Sequence, residues 1–291
     1  MKVNELFTRK NWLLLKAMVS TDFKLRYQQS ILGYLWSVLK PLMLFAIMYL
    51  VFVRFLRFGA DVPHFAVALL LGSVMWNFLA EATNGGMTSV VGHGDLLRKI
   101  HFPKITVTIA SIMSALINFG INLIVMIFFI LINGVHISFK AVLIIPIFAE
   151  LLLIASGLAF FLGALFVNFR DLSPIWEVVL QAGFYATPII YPISLVATNI
   201  GPQAARFILL NPMAQIIQDA RYVLIAPENQ TVWQSFSTSL VGLIPVALSV
   251  VIFYRWTGVF SSLVLSCSRS WCNEGRYAAN FGYCAQGYER L

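Results

Sequence analysis

Long apolar runs separated by short polar stretches dominate this chain. Six runs stand out, at roughly 31–53, 63–83, 105–134, 141–167, 172–193 and 232–254. A helix rises about 1.5 Å per residue and the hydrocarbon core of a bilayer is about 30 Å thick, so each run is long enough to cross. Backbone groups in lipid must satisfy one another, and uninterrupted apolar runs of this length suit helices rather than barrel strands. The pattern predicts an all-α integral membrane protein with six transmembrane helices. Lys40 and Pro41 interrupt the first run, and Glu81 stands near the end of the second. The third and sixth are free of charge, the fourth contains Glu150, and the fifth contains Glu177 and ends in YATPIIYP.

The segments between the runs add two predicted elements. Residues 12–30, WLLLKAMVSTDFKLRYQQS, are too charged to span. On a helix, Leu14, Met18, Leu25 and Tyr27 share a broad apolar side while Lys16, Asp22, Lys24 and Arg26 look to water. An amphipathic helix lying in the inner interface fits this pattern; a loose cytoplasmic leader is the alternative. Residues 194–231 combine NIGP, LLNPM and LIAP with the apolar pieces RFILL and AQIIQDARYVLI. That mixture predicts short helices on the outer face, because a plain external loop would be more polar.

Charge then orients the chain. The first 26 residues carry Lys2, Arg9, Lys10, Lys16, Lys24 and Arg26 against Glu5 and Asp22, and the second-to-third connection carries Arg98, Lys99 and Lys104 against Asp95. The opposite face has Arg54 and Arg57 against Asp61, a solitary Lys140, and Arg206 and Arg221 against Asp219 and Glu228. The positive-inside bias puts both termini and the stretch LLRKIHFPK in the cytoplasm.

Composition supports the membrane reading. Of 291 residues, 59% are hydrophobic and 11% charged, with a mean hydropathy of +0.83, whereas a soluble domain carries about 25% charged residues. The net charge of +8 lies in short blocks between apolar runs, which fits topology and anionic lipid better than a nucleic-acid groove. Cys267, Cys272 and Cys284 fall in the last 25 residues without a metal-ligand spacing. The N-terminus lacks the pattern of a cleavable signal, since charge continues to Arg26 before an apolar run begins.

Candidate chemistry is sparse. The sequence has no HExxH, no GxSxG and no phosphate-cradling glycine loop, and none of its four histidines has an evident metal-ligand neighbour. Any energy for uphill transport is therefore expected from an ion gradient or a partner. Acids within membrane runs usually face a bundle interior or cavity. Glu150 is the deepest by count, and it is either a structural or gating residue or a relay. Phe184, Tyr185 and Tyr191 cluster beside Pro188 and Pro192. Their rings either offer flat faces to passing sugars or belong to the outer aromatic belt, while the prolines predict a bend. Arg170 and Asp171 mark a cytoplasmic turn, with the aspartate placed where a helix N-terminus favours negative charge.

Four stretches together resemble a known family: RYQQSILGYLWSVLKPL at 26–42, LLRKIHFPK at 96–104, VNFRDLSPIWEVVLQAGFYATPIIYP at 167–192 and LNPMAQIIQDARYVL at 210–224. In that order they resemble the membrane subunits of ABC-2-type exporters of polysaccharide and polyol phosphate, including O-antigen and teichoic acid permeases. The resemblance spans roughly residues 10–260. It implies a homodimer of six-helix subunits in the bacterial cytoplasmic (inner) membrane, resting on two cytoplasmic ATPase subunits. It implies no cofactor and no metal in this chain, with ATP and Mg held by the partner, and a glycan on a polyprenyl diphosphate as substrate.

Residue by residue, the resemblance places an interfacial helix on the ATPase at Trp12, Lys16, Lys24 and Arg26. A coupling element falls at Asp95, Leu97, Arg98, Lys99, Ile100, Phe102 and Lys104. The outer gate begins at Pro188 and Pro192 and extends to about Ile225, with Phe184, Tyr185, Tyr191 and Glu150 as gate or channel candidates. Residues 1–30 form the N-terminal segment, 31–256 the transmembrane domain and 257–291 a poorly ordered tail. That tail departs from the short basic end usual in the family, and is either a native extension or an artefact of the reading frame. Other readings are exporters of teichoic acid, capsule or a smaller lipid or drug, an integral-membrane enzyme of glycan assembly, and an ion-coupled carrier or channel.

Overall fold

A computed structural model describes residues 9–27, 35–57, 64–93, 105–135, 139–225 and 251. Within these residues the chain is helical, without a strand. In chain order the helices are α1 (Arg9–Tyr27), α2 (Trp36–Met48), α3 (Phe65–Gly92), α4 (Ile105–Ile132), α5 (Ile144–Asn168), α6 (Leu172–Ala186), α7 (Ile193–Asn199), α8 (Pro202–Ile208) and α9 (Pro212–Ile225). A π-helical stretch, Tyr49–Phe55, prolongs α2, and a 3-10 turn, Phe139–Leu143, leads into α5.

Four of these elements are long and apolar enough to cross a membrane: Trp36–Phe55, Phe65–Gly92, Ile105–Ile132 and Ala141–Val167. Burial decides their arrangement. The apolar window of α3 is 78% buried, against 28% for α4, 28% for α5 and 11% for α2 with its extension. Helix α3 is therefore the axis, packed along both α4 and α5 and touching α2, α6 and α9, while the others keep a face for lipid. Lipid tails are as apolar as leucine, so close backbone approach and shape fit hold such helices together. Gly86 of α3 supplies this approach, because a Cβ there would stand 2.6 Å from the Cβ of Ala159 in α5. Aromatic packing of Phe119 against Phe78 and Phe148, at 4.8 and 5.1 Å between centroids, ties α3, α4 and α5 into one core.

Several predicted boundaries shift. Lys40 and Pro41 do not interrupt α2, since Pro41 sits within it and the helix carries on to Phe55. Helix α3 runs past Thr83 to Gly92, so Glu81 lies inside the helix rather than near its end. There it accepts a 2.7 Å hydrogen bond from Asn118 Nδ2 of α4, which stabilises an acid that lipid would penalise. The run at 172–193 is divided. Helix α6 stops at Ala186, a 15-residue helix about 22 Å long, and α7 begins only at Ile193. The predicted span 232–254 lies outside the described residues apart from Val251.

Helix α1 lies against α4, where Met18 packs with Val107 and Ala110. Leu14 belongs to the same face, joined by Leu15 and Val19. The side chains of Leu25, Arg26 and Tyr27 are outside the described residues. Lys16 and Lys24 are exposed as expected, but Asp22 does not simply look to water. Its Oδ1 is 3.4 Å from Nε2 of His93, just beyond the end of α3. The His93 Nδ1 lies 3.0 Å from the Ser89 carbonyl.

Candidate functional site

The break between α6 and α7 is built by its sequence. Pro188 and Pro192 have no backbone N–H to give a helix, and Thr187 and Pro192 adopt extended backbone. The carbonyls between them consequently lose helical partners while the segment 187–190 is buried. An unpaired carbonyl at such a place is costly.

Arg221 of α9 answers that need. It is fully buried, its Nη1 donating to the Pro188 carbonyl at 2.6 Å and its Nη2 to the Ile189 carbonyl at 2.8 Å. Its Nε donates to Ala68 O of α3 at 3.2 Å. One guanidinium thus fastens the broken segment, α9 and the central helix together, using the fixed fork of donors that only arginine provides. Gly72 makes room for it, since a Cβ there would meet Nη2 at 3.1 Å and Ile189 Cγ2 at 3.2 Å. Asn211 adds a further tie, donating from Nδ2 to Thr187 Oγ1 at 3.3 Å while its Oδ1 accepts from the Met213 N–H at the head of α9.

Helix α6 is held to α3 at both ends. Trp176 Nε1 donates to Thr83 Oγ1 at 3.1 Å, and Gly183 lies over Trp76, where a Cβ would come to 2.9 Å. Phe184 packs edge-on against Trp76 at 6.1 Å and against Tyr185 at 5.6 Å. Ile175, Val178, Val179 and Tyr185 leave a long face of α6 exposed.

The structure brings most of the expected gate candidates to this place. Phe184 and Tyr185 end α6, Pro188 is clamped, Pro192 caps α7, and the Tyr191 hydroxyl donates to the Ala186 carbonyl at 3.2 Å. Glu150 lies on α5, which packs against α9, and its Oε1 is buried without a hydrogen bond among the described residues. Arg170 and Asp171 lie at the start of α6. Asp171 occupies the N-cap position without a side-chain capping bond, and Arg170 sits 5.5 Å from the centroid of the Phe166 ring. Trp12 is exposed on α1. Asp95, Leu97, Arg98, Lys99, Ile100, Phe102 and Lys104 lie outside the described residues, in the connection from α3 to α4.

Charge counting along the sequence misplaces Arg221, treating it as an outer-loop cation. A nearby signal was present, because Arg221 sits in AQIIQDARYVLI among apolar residues at helical spacing, with Ile217 one turn before it and Leu224 nearly one turn after.

The profile of the ABC-2 type transporter family matches residues 13–225. An O-antigen export system permease protein, RfbA, of Myxococcus xanthus is 29% identical over 262 residues, covering 89% of this chain and 95% of that protein. A Klebsiella pneumoniae protein of the same description is 29% identical over 206 residues, 70% of this chain and 77% of its own length. The match over residues 13–225 shows that the chain belongs to the ABC-2 type transporter family, and with its long apolar helices it is a multi-pass membrane permease related to O-antigen export permeases.

Proposed function

We propose that this chain is the membrane-spanning subunit of an exporter that moves a polyprenyl-diphosphate-linked polysaccharide, O-antigen-like, across the cytoplasmic membrane. Two copies form the channel, and two cytoplasmic ATPase subunits supply the work by switching it between two states. The observation that carries the reading is the alignment with the Myxococcus permease along nearly the whole of both chains. Six spans, the last at 232–254, fill the domain 31–256, with residues 1–30 and 257–291 cytoplasmic.

In this scheme α1 rests on the ATPase through Trp12, Lys16, Lys24 and Arg26. The connection 95–104 docks with it, using Leu97, Ile100 and Phe102 for apolar contact and Arg98, Lys99 and Lys104 for charge. Arg170 and Asp171 form a second cytoplasmic turn. The pair of Asp22 and His93 joins α1 to the head of the docking connection, so a push on one reaches the other. On the outer side, Phe184, Tyr185 and Tyr191 meet the sugars at a gate whose bend is set by Pro188 and Pro192.

The test is co-purification of the permease with its ATPase, followed by reconstitution in vesicles containing the lipid-linked glycan. ATP hydrolysis should rise several-fold with the glycan present. Reversing both Arg98 and Lys99 to glutamate should weaken ATPase binding about tenfold or more, since like-charge contacts at an interface cost well over the ~1.4 kcal/mol that tenfold requires. Normal binding and stimulation in that variant would remove the docking role and leave the basic residues as topology signals.

A further inference from the structure

Buried polar atoms without a partner concentrate where α5 packs against α9. Of six such side-chain atoms among the described residues, four lie on these two helices: Glu150 Oε1, Gln215 Nε2, and both Oε1 and Nε2 of Gln218. The two glutamines are 2% and 1% exposed, so bulk water does not serve them. A buried polar group left unbonded is costly, and native interiors seldom keep one. Gln218 is the sharper case, because exchanging the oxygen and nitrogen of its amide still leaves both ends unserved.

Helical spacing brings these groups to one seam. Gln215 and Asp219 are four apart on α9, and Gln218 lies three from Gln215, so the three form one polar strip. Asp219 lies close enough for its charge to act on Glu150, which turns that strip toward α5. The four unserved atoms are two acceptors, Glu150 Oε1 and Gln218 Oε1, and two donors, the amide nitrogens. A cation would serve only the oxygens, and an anion only the nitrogens. A buried water both donates and accepts, and typically makes about three hydrogen bonds to such groups. Water alone answers both kinds.

We propose that the seam between α5 and α9 is a buried water site held by Glu150, Gln215 and Gln218, and that Glu150 is through it a positioning residue for α9. Gln218 stands one turn before Arg221. A water-bridged contact with α5 therefore sets the place from which the guanidinium reaches the Pro188 and Ile189 carbonyls. Such a bridge is nearly as favourable as a direct hydrogen bond. Glu150 acts on the clamped break through α9, without touching a cargo.

The experiment takes the full permease–ATPase complex in lipid nanodiscs and reads it in two ways. A cryo-EM map that resolves ordered water should show one within hydrogen-bonding distance of Glu150 Oε1 and of a Gln218 amide atom. A direct bond between the two side chains, a seam without water, or a peak that follows added Ca²⁺ would overturn the site. The map uses the wild-type chain, so it decides even where a variant fails to assemble. Hydrogen exchange then reads the positioning role at the N–H groups of Ile189, Ile190 and Tyr191. Glu150→Leu and Gln218→Leu should each speed exchange there about fivefold relative to α4, the factor supplied by one hydrogen bond of about 1 kcal/mol. Glu150→Gln, which keeps a hydrogen-bonding end, should retain most of the protection. Unchanged exchange at the break, or equal acceleration in every helix, would remove the positioning role. Neither readout involves a polysaccharide, so both stand or fall apart from the exporter assignment.

Discussion

Replacing Arg221 with methionine is expected to destabilise the permease by about 2–6 kcal/mol, since two buried carbonyls each lose their donor at about 1–3 kcal/mol, and to abolish export. Hydrogen bonds from a charged donor contribute about 1.5–3 kcal/mol each. The Ala68 carbonyl lies within a helix and keeps its intrahelical partner. The Pro188 and Ile189 carbonyls are buried in a stretch where prolines have removed the helix, and they depend on Nη1 and Nη2. Methionine preserves much of the apolar stem but abandons both carbonyls. Arg221→Lys keeps the charge without the fork and should recover only part of the loss. Thermal unfolding of the purified protein in detergent checks this, and a midpoint unchanged in Arg221→Met would show that the clamp contributes nothing to the fold.

The second large effect is expected at Gly86, where α3 crosses α5. A Cβ would stand 2.6 Å from Ala159 Cβ and 3.4 Å from Ala159 Cα, so the obstacle is backbone as well as side chain. Overpacking a tight contact costs about 1–3 kcal/mol, and Gly86→Leu should reach the upper end because the two helices must part. The milder Gly86→Ala should be destabilising alone and should be rescued by Ala159→Gly, which removes the atom in the way. Gly120→Ala serves as the comparison, with nothing within 4 Å of its added Cβ, and should be neutral or slightly stabilising. Unfolding midpoints across these four variants test the crossing. Failure of Ala159→Gly to rescue would place the strain elsewhere.

The sequence discloses the membrane scaffold most clearly where the apolar runs are longest. Helices α4 and α5 lie close to their predicted runs because the apolar signal outweighs Asn118 and Asn122 in one and Glu150 in the other. Helix α3 outruns its prediction since Asn84, Gly85 and Gly86 read locally as a turn. In the fold Gly86 is a crossing point and Asn84 lines a hollow, so both serve a continuous helix. The opposite error occurs after α6. Ile189 and Ile190 keep hydropathy high through 193, while the prolines decide that the helix stops at Ala186.

Residues around the break divide along the same line. Pro188, Phe184 and Tyr185 stand out as candidates because composition marks them. Arg221 does not, since its purpose is to satisfy carbonyls 32 and 33 residues away, a relation that no local pattern records. Asn118 escaped for a similar reason. An asparagine in an uncharged run gives no sign that Glu81 awaits it 37 residues back.

The most direct measurement of the central claim is deletion of the gene, with restoration by the intact gene and by the Arg221→Met variant, followed by analysis of cellular glycans. Export of a lipid-linked polysaccharide predicts loss of long surface polysaccharide and accumulation of its polyprenyl-linked form on the cytoplasmic side. The intact gene should restore the surface material and Arg221→Met should not. Surface polysaccharide of normal length and amount in the deletion strain would contradict the account.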